Sequence, residues 1–464
     1  MSDNNAQLHK GKRAPVKVLG KSKPSLSRSG MRLYSRNGTP ADYRTYEIYQ
    51  RERVHESTEK IRPIQLVSSE FVRDPYPLLE ILRENYPCYR DWLGNSYWIT
   101  RYDQVTSVFT DDANFESRSK LWFYGAEDYG RDLRDELPVL TSHAARTDAH
   151  VRSVAETLVA DLTRSRADTG TADLALEFAA RLPLELLAKV LDLPGDDFAF
   201  FAERYWKMQR GFDWNAEDEQ AGLRAMDELA RYFQPLLEAR RADPADDMIS
   251  AIAGLRLPEG PATAEDLVAT LLEGDHETLH GALANLWFLL LTHPDQLAMV
   301  SEDQRMLKFA YLEALRHSTP VLWKKRYTRH EVERFGRLLP TGGLFYCAAA
   351  AANRDPRVFS DPDSFNIARK DLCQREPRGH YRSDGLPAGV ALGLGKPSRQ
   401  PGLPEDRPRS LYAITRDSIV TASAVLLENL PDIHLQAGAQ PQLRSLRLGE
   451  MHTCWHLPVE FTPP

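Results

Sequence analysis

The chain has 464 residues, a formal net charge of −7 and 42% apolar residues, enough for a large core and too acidic for general nucleic-acid binding. Its four cysteines, at 88, 347, 373 and 454, show neither zinc-knuckle spacing nor a disulfide framework, so reduced thiols in a cytoplasmic protein are expected. No run of about 18 apolar residues is present to span a membrane, and no apolar run near the start marks a signal peptide.

Residues 1–60 include KGKRAPVKVLGKSKPSLSRSGMRLYSRNGTP, rich in Lys, Arg, Ser, Gly and Pro with almost no acid. Such a segment cannot bury enough apolar surface to order itself, so a disordered basic tail is expected ahead of a single domain over 61–464. A sharper alternative is an arm that docks on an acidic partner or on membrane headgroups. Next, DPYPLLEILRENYP reads as a helix entered through a proline turn and stopped at Pro87. CYR, a turn carrying Gly94, Asn95 and Ser96, and YWIT read as a hairpin, and RYDQVTSVFTDDANFES as a helix and its exit. Residues 118–260 read as helix-forming throughout, with stops at Pro138, Pro194–Gly195 and Pro244.

Thr263 with Asp266 makes a capping box that opens a long helix ending at His293, before Pro294. A helix of about 30 residues is about 45 Å long and must cross the whole domain. Its middle, LLEGDHETLHGA, contains His276, Glu277 and His280 in a His-Glu-x-x-His pattern. That spacing places two imidazoles one turn apart with a general base between them, as a zinc hydrolase requires; the third ligand would be Glu302 or Glu313. Glu313 and Arg316 follow, three apart on a helix face. Arg326, the strand-like LFYCAAAAA and the string AANRDPRVFSDPDSFNIAR, ending at Arg369, come after.

That string, with the Glu-x-x-Arg upstream, resembles the cytochrome P450 superfamily of haem-thiolate monooxygenases, and the resemblance extends over residues 70–464. It implies a mostly α fold with one long central helix and a smaller β region made by residues near 87–100, 326–350 and the carboxyl end. It also implies that Glu313, Arg316 and Arg369 form a buried network, since a buried Arg left unpaired costs several kcal/mol. Arg326 matches the arginine that holds a haem propionate. In TDAHVRSV, His150 can stand for a second propionate contact, while Val154 sits where an arginine is expected. Glu277 and Thr278 match the acid and first hydroxyl that deliver protons to bound oxygen; Leu279 replaces the second hydroxyl, and Gly274-Asp275 an Ala-Gly pair. Residues 200–245 match the substrate-capping helices over a central cavity that takes a small molecule.

The pattern departs at the iron ligand. The family has a glycine loop ending in a cysteine, whose thiolate favours O–O cleavage. Here the loop reads AGVALGLGKPSRQPG, and counting from Gly393 and Gly395 puts Arg399 at the ligand position, beside the cofactor. Counting back from Arg416 puts Arg409 there, so the loop has gained QPGLPEDRPR; neither count meets a cysteine. Cys373 is upstream of the turn, and arginine is always protonated and cannot ligate iron. The leading expectation is a degenerate, thiolate-free member, a pseudoenzyme acting as accessory or allosteric partner of another enzyme, with the insertion at 400–409 and the basic tail as partner surface. Two alternatives stand beside it. One is a haem oxidoreductase with a non-cysteine axial ligand such as His380; the other is a zinc activity at His276 and His280.

Overall fold

The computed structural model describes residues 61–86, 88–134, 144–166, 168–211, 216–274, 276–372, 389–391, 411–445 and 450–462, without the side chains of 144–148, 277 and 411–414. The basic tail, Cys373, His380, Arg399, Arg409 and the insertion all lie outside the described residues.

Helix α1 (Tyr76–Asn85) is entered at Pro75 and leaves the helical conformation at Tyr86, as the residue before a proline favours. It leads into the hairpin of β1 (Tyr89–Asp91) and β2 (Ser96–Ile99), whose turn is held by the Asp91 carboxylate accepting from the amides of Leu93 and Gly94 and from the Ser96 hydroxyl. Helix α2 (Tyr102–Phe109), strand β3 (Phe115–Glu116) and the short helix α3 (Lys120–Tyr124) follow; α3 is capped by Ser119 and stopped by Gly125, whose φ of 63° suits glycine.

Residues 118–260 are not helical throughout. Between α4 (Ala144–Ser165) and α5 (Arg181–Val190) lies β4 (Thr171–Asp173), three residues too short to show a period-2 pattern. Helices α6 (Phe198–Arg210) and α7 (Ala216–Ala242) lie against one another. The long central helix forms as two pieces, α8 (Ala264–Glu273) and α9 (His276–Thr292). The Thr263–Asp266 capping box opens the first, and Gly274, with ψ at 153°, ends it. A glycine within a helical pattern is its weakest point, and here the pattern breaks there.

After α10 (Leu307–His317) come β5 (Lys324–Thr328) and β6 (Leu344–Cys347), then α11 (Leu411–Asn429) and the terminal strands β7 (His434–Leu435), β8 (Leu443–Ser445), β9 (His452–Cys454) and β10 (Pro458–Glu460). The main sheet runs β1-β2-β6-β5-β3, with β2 and β6 parallel, Ser96 opposite Leu344 and Ile99 opposite Cys347. A second sheet, β4-β10-β7, ties the end of the chain to its first half. The largest apolar core gathers α4, α5, α9, α10 and α11, with a second core under α6, α7 and α8. Trp287 of α9 is buried in the first, its indole N–H donating to Ser423 of α11 at 3.1 Å.

The Tyr124 ring is wedged between the end of α6 and the flank of α7, and its hydroxyl donates to the Met208 carbonyl. A Cβ on Gly211 would lie 2.0 Å from the Tyr124 hydroxyl, and one on Gly222 2.1 Å from it. A mid-helix Gly→Ala change normally gains about 1 kcal/mol, whereas overpacking costs about 1–3. Gly222→Ala is therefore expected to lower the urea midpoint, and Tyr124→Phe, which removes the atom met first, to recover part of that loss in the double variant.

Candidate functional site

Helix α10 presents Glu313 and Arg316 on one face, both with about 1% exposure or less. The guanidinium of Arg316 uses all five N–H bonds. Nε and Nη2 donate to Glu313 at 2.8 Å each, Nη1 to the carbonyls of Asn353 at 3.0 Å and Pro362 at 2.6 Å, and Nη2 also to Ser364 at 3.1 Å. Arg369 closes on the same carboxylate, its Nε 2.9 Å from Oε2 as an ion contact, while its Nη atoms donate to Asp371 and to the carbonyls of Ser360 and Asp361. Asn366 adds its amide to Oε1 at 3.0 Å. No donor of Arg316 is stranded, which lets a charge sit fully buried.

The same knot holds the entrance to the glycine loop. Asn353, fully buried, donates to the Leu315 carbonyl and accepts from the Val390 amide at 2.7 Å. Arg354 stacks its guanidinium 3.6 Å from the centre of the Tyr76 ring and donates to the His317 carbonyl, joining α1 to α10. Asp355 accepts from the Tyr102 amide at the start of α2. The polar residues of the Asn-Arg-Asp-Pro segment thus tie α10, α1, α2 and Val390 to one another.

At the centre of the domain, the end of α8 is capped by side chains from three other segments. Gln209 of α6, 1% exposed, donates to the carbonyls of Leu271 at 3.2 Å and Leu272 at 3.0 Å. Arg134 donates to the Glu273 carbonyl at 2.9 Å, and Lys120 to that of Gly274 at 2.8 Å. The Lys120 ammonium also reaches the Gln209 side-chain oxygen at 2.8 Å, while the Glu273 carboxylate accepts from the Lys120 amide. Burial raises the Glu273 pKa against the pull of Lys120 and Arg134. Lys120, Arg134 and Gln209 were not among the residues expected at the site. Gly274 was the one signal that the helix would open and need such partners.

The turn beyond the break carries His276, Glu277, Thr278 and His280. The side chain of Glu277 lies outside the described residues. The Thr278 hydroxyl is buried and has no hydrogen-bond partner among them, and the same holds for both ring nitrogens of His280. The two imidazoles face different company. His276 lies between the rings of Tyr205 and Trp206, each centred 4.9 Å away, and His280 stands 5.5 Å from Trp455. Among the described residues no group of three His, Cys, Asp or Glu side chains gathers around a common point, so a third zinc ligand is not supplied there by Glu302 or Glu313. Glu313 is engaged with Arg316 and Arg369.

Arg326 extends from β5, half-buried, its guanidinium 5.0 Å from the centre of the Phe109 ring and one nitrogen donating to the Lys325 carbonyl. His150 lies on α4, two residues before Arg152, whose guanidinium meets Glu428 of α11 at 3.0 Å.

A haem centre of the kind implied by the fold needs a thiolate donor and cations for its carboxylates. Arg326 is a suitable cation, and the unpartnered Thr278 hydroxyl a suitable polar group. The thiols do not fit: Cys88, Cys347 and Cys454 are all buried. Burial pushes the Cys347 thiol up to about 12, and that of Cys454, which donates to the His456 carbonyl, also up to about 12. Both stay protonated near neutral pH. Among the described residues no thiolate is poised to hold a metal.

The chain is 28% identical to the vitamin D(3) 25-hydroxylase of Pseudonocardia autotrophica over 410 residues, covering 80% of this chain and 96% of that protein. It is 28% identical to the 6-deoxyerythronolide B hydroxylase of Saccharopolyspora erythraea over 362 residues, 72% of this chain and 86% of that one. It superposes on the solved structure of P450BioI, in complex with hexadec-9Z-enoic acid ligated acyl carrier protein, with a TM-score of 0.67 and 24% identity, over 85% of this chain and 99% of that one. No protein-family model matches the chain.

Two expectations follow from the geometry. Arg316→Lys keeps the charge but loses the five-donor fork, and is expected to cost about 3–5 kcal/mol in urea unfolding, as breaking a buried pair does. Burial lowers the His280 pKa from 6.5 to about 4. Its neutral form is favoured in the folded state, so stability is full above pH 6.5 and falls as the pH drops toward 4, by about 3 kcal/mol in total. His280→Leu is expected to flatten that acid limb by about one proton and to raise stability at pH 7, since a buried group without a partner costs about 1–3 kcal/mol. Urea titrations at successive pH values between 7 and 4 read both effects.

Proposed function

From its place in the cytochrome P450 superfamily, to which the chain belongs by its fold and its relatives, we propose that it is a thiolate-free accessory protein that binds and stabilises a partner enzyme. The observation that carries this reading is the state of its thiols. Cys88, Cys347 and Cys454 are walled into the core, the latter two held as protonated thiols, and the two counts through the glycine loop reach Arg399 and Arg409. A guanidinium is a permanent cation without a free lone pair, so it repels a ferric centre instead of binding it. The intact Glu313–Arg316–Arg369 knot keeps the scaffold rigid whether or not it performs chemistry.

A partner-binding role has support in the fold itself, since P450BioI was solved with a carrier protein bound. In this chain the basic stretch before residue 60 and the Pro- and charge-rich insertion at 400–409 are the segments assigned to the partner. A basic arm favours an acidic surface on that enzyme and accelerates encounter at low salt.

A second reading is favoured by one observation, the buried Thr278 hydroxyl without a partner. A group of that kind at the position of the superfamily's proton path suits a haem enzyme with a non-cysteine ligand such as His380, Arg326 pairing with a haem carboxylate. Bound haem would supply oxidative chemistry; the two curated relatives named above are hydroxylases.

The full chain purified from a haem-replete host separates the two. Iron well below one per chain, no thiolate-type Soret spectrum, and an enzyme that co-purifies and loses activity faster without the chain are expected. One haem per chain with a thiolate-type spectrum would overturn both readings, and one haem per chain without that signature would select the second.

A further inference from the structure

The break in the central helix is more than a kink, because three separate segments terminate on it. Helix α8 leaves its last carbonyls without intrahelical partners, and a buried carbonyl must be satisfied from elsewhere. That of Leu272 takes its hydrogen bond from one side chain, Gln209, at the end of α6, which also adds a second donor to the Leu271 carbonyl beside the Gly274 amide. That of Gly274 depends on Lys120, at the start of α3. The two donors are themselves joined, with the Lys120 ammonium on the Gln209 oxygen at 2.8 Å, so the Gln209 amide spends both its ends in the junction. Lys120 is fixed from its backbone as well, its amide donating to the Glu273 carboxylate. One turn earlier than Gln209, Tyr205 packs on His276, so the same helix covers the first turn of α9.

We propose that Gln209 and Lys120 form a two-part latch that locks α6 to the broken central helix, so that α6 and residues 271–274 release together or not at all. Gln209 cannot leave without stripping the Leu272 carbonyl and releasing the ammonium in one movement, with Leu271 left only its bond from the Gly274 amide. Lys120 cannot leave without exposing the Gly274 carbonyl and freeing the Gln209 oxygen. Contacts that share their atoms in this way fail as a unit, so the end of α6 and the end of α8 are coupled. The same end of α6 is packed by Tyr124, whose ring is held between Gly211 and Gly222 and whose hydroxyl donates to the Met208 carbonyl. This inference stands on the packing of α3, α6 and α8 and does not rest on the presence or absence of haem.

Hydrogen–deuterium exchange on the full-length chain tests it, with Lys120→Met, Gln209→Leu and the double variant. In each single variant, amides of both 198–210 and 271–274 are expected to exchange about tenfold faster, while those of α10 and α11 keep their rates. The double variant is expected to match the faster single variant, since either change already opens the unit. Loosening confined to the helix that carries the substitution would overturn the latch, and so would rates in the double variant that multiply those of the singles. Should Gln209→Leu not fold, Lys120→Met alone decides: Lys120 is only partly buried, and its loss must accelerate exchange in α6, from which it is remote in sequence. Lys120→Arg, which keeps a cationic donor there, is expected to restore most of the protection.

Discussion

The buried carboxylate of Glu313 is the point on which the rest of the molecule is hung. This one acid contacts two guanidinia, with Asp371 as the second counter-charge beside Arg369, and through them it fixes the turn at Asn353, the carbonyls of Pro362 and Ser364, and the loop carrying Ser360 and Asp361. A buried ion pair is poor value as a source of stability, because desolvation offsets most of the attraction. What it gives is exactness of register: five donors in a rigid fork have one arrangement that satisfies them all. Asn353, held in this way, in turn fixes the Val390 amide at the entrance to the glycine loop.

The central helix solves a different problem. A helix long enough to cross the domain would run as uninterrupted backbone, and the glycine at 274 breaks it at the middle instead. Opening a helix inside a protein creates polar debts, and here Gln209, Arg134 and Lys120 settle them from three directions. Just beyond, Thr278 and His280 are left unsatisfied among the described residues, so the two sides of one break differ sharply in polarity satisfaction.

Much of this was legible in the residues. The Thr263–Asp266 pair opens the central helix, the turn at Gly94–Asn95 makes its hairpin, and the spacing of Glu313 and Arg316 puts them on one face, because each is a local signal carried within a few positions. What escaped reading depends on residues far apart in the chain. Strand β4 exists only because Thr171–Asp173 meets the carboxyl-terminal Pro458–Glu460, and nothing in three residues announces a partner so distant. The caps of Lys120 and Gln209 are likewise contacts between segments, invisible to any pattern of spacing. The packing of the helix that carries His150 along α11 is a contact of the same kind.

The sheet pairing has a consequence for how the molecule is made. β2 is complete soon after the amino-terminal helix, yet one of its edges waits for β6, and β4 waits for the last strand of all. A growing polypeptide therefore carries the bare edge of β2 until Leu344–Cys347 is made, and that of β4 until Pro458–Glu460 is made. Chains stalled between those two points have a finished main sheet and an open second one, so mispairing during synthesis falls on β4.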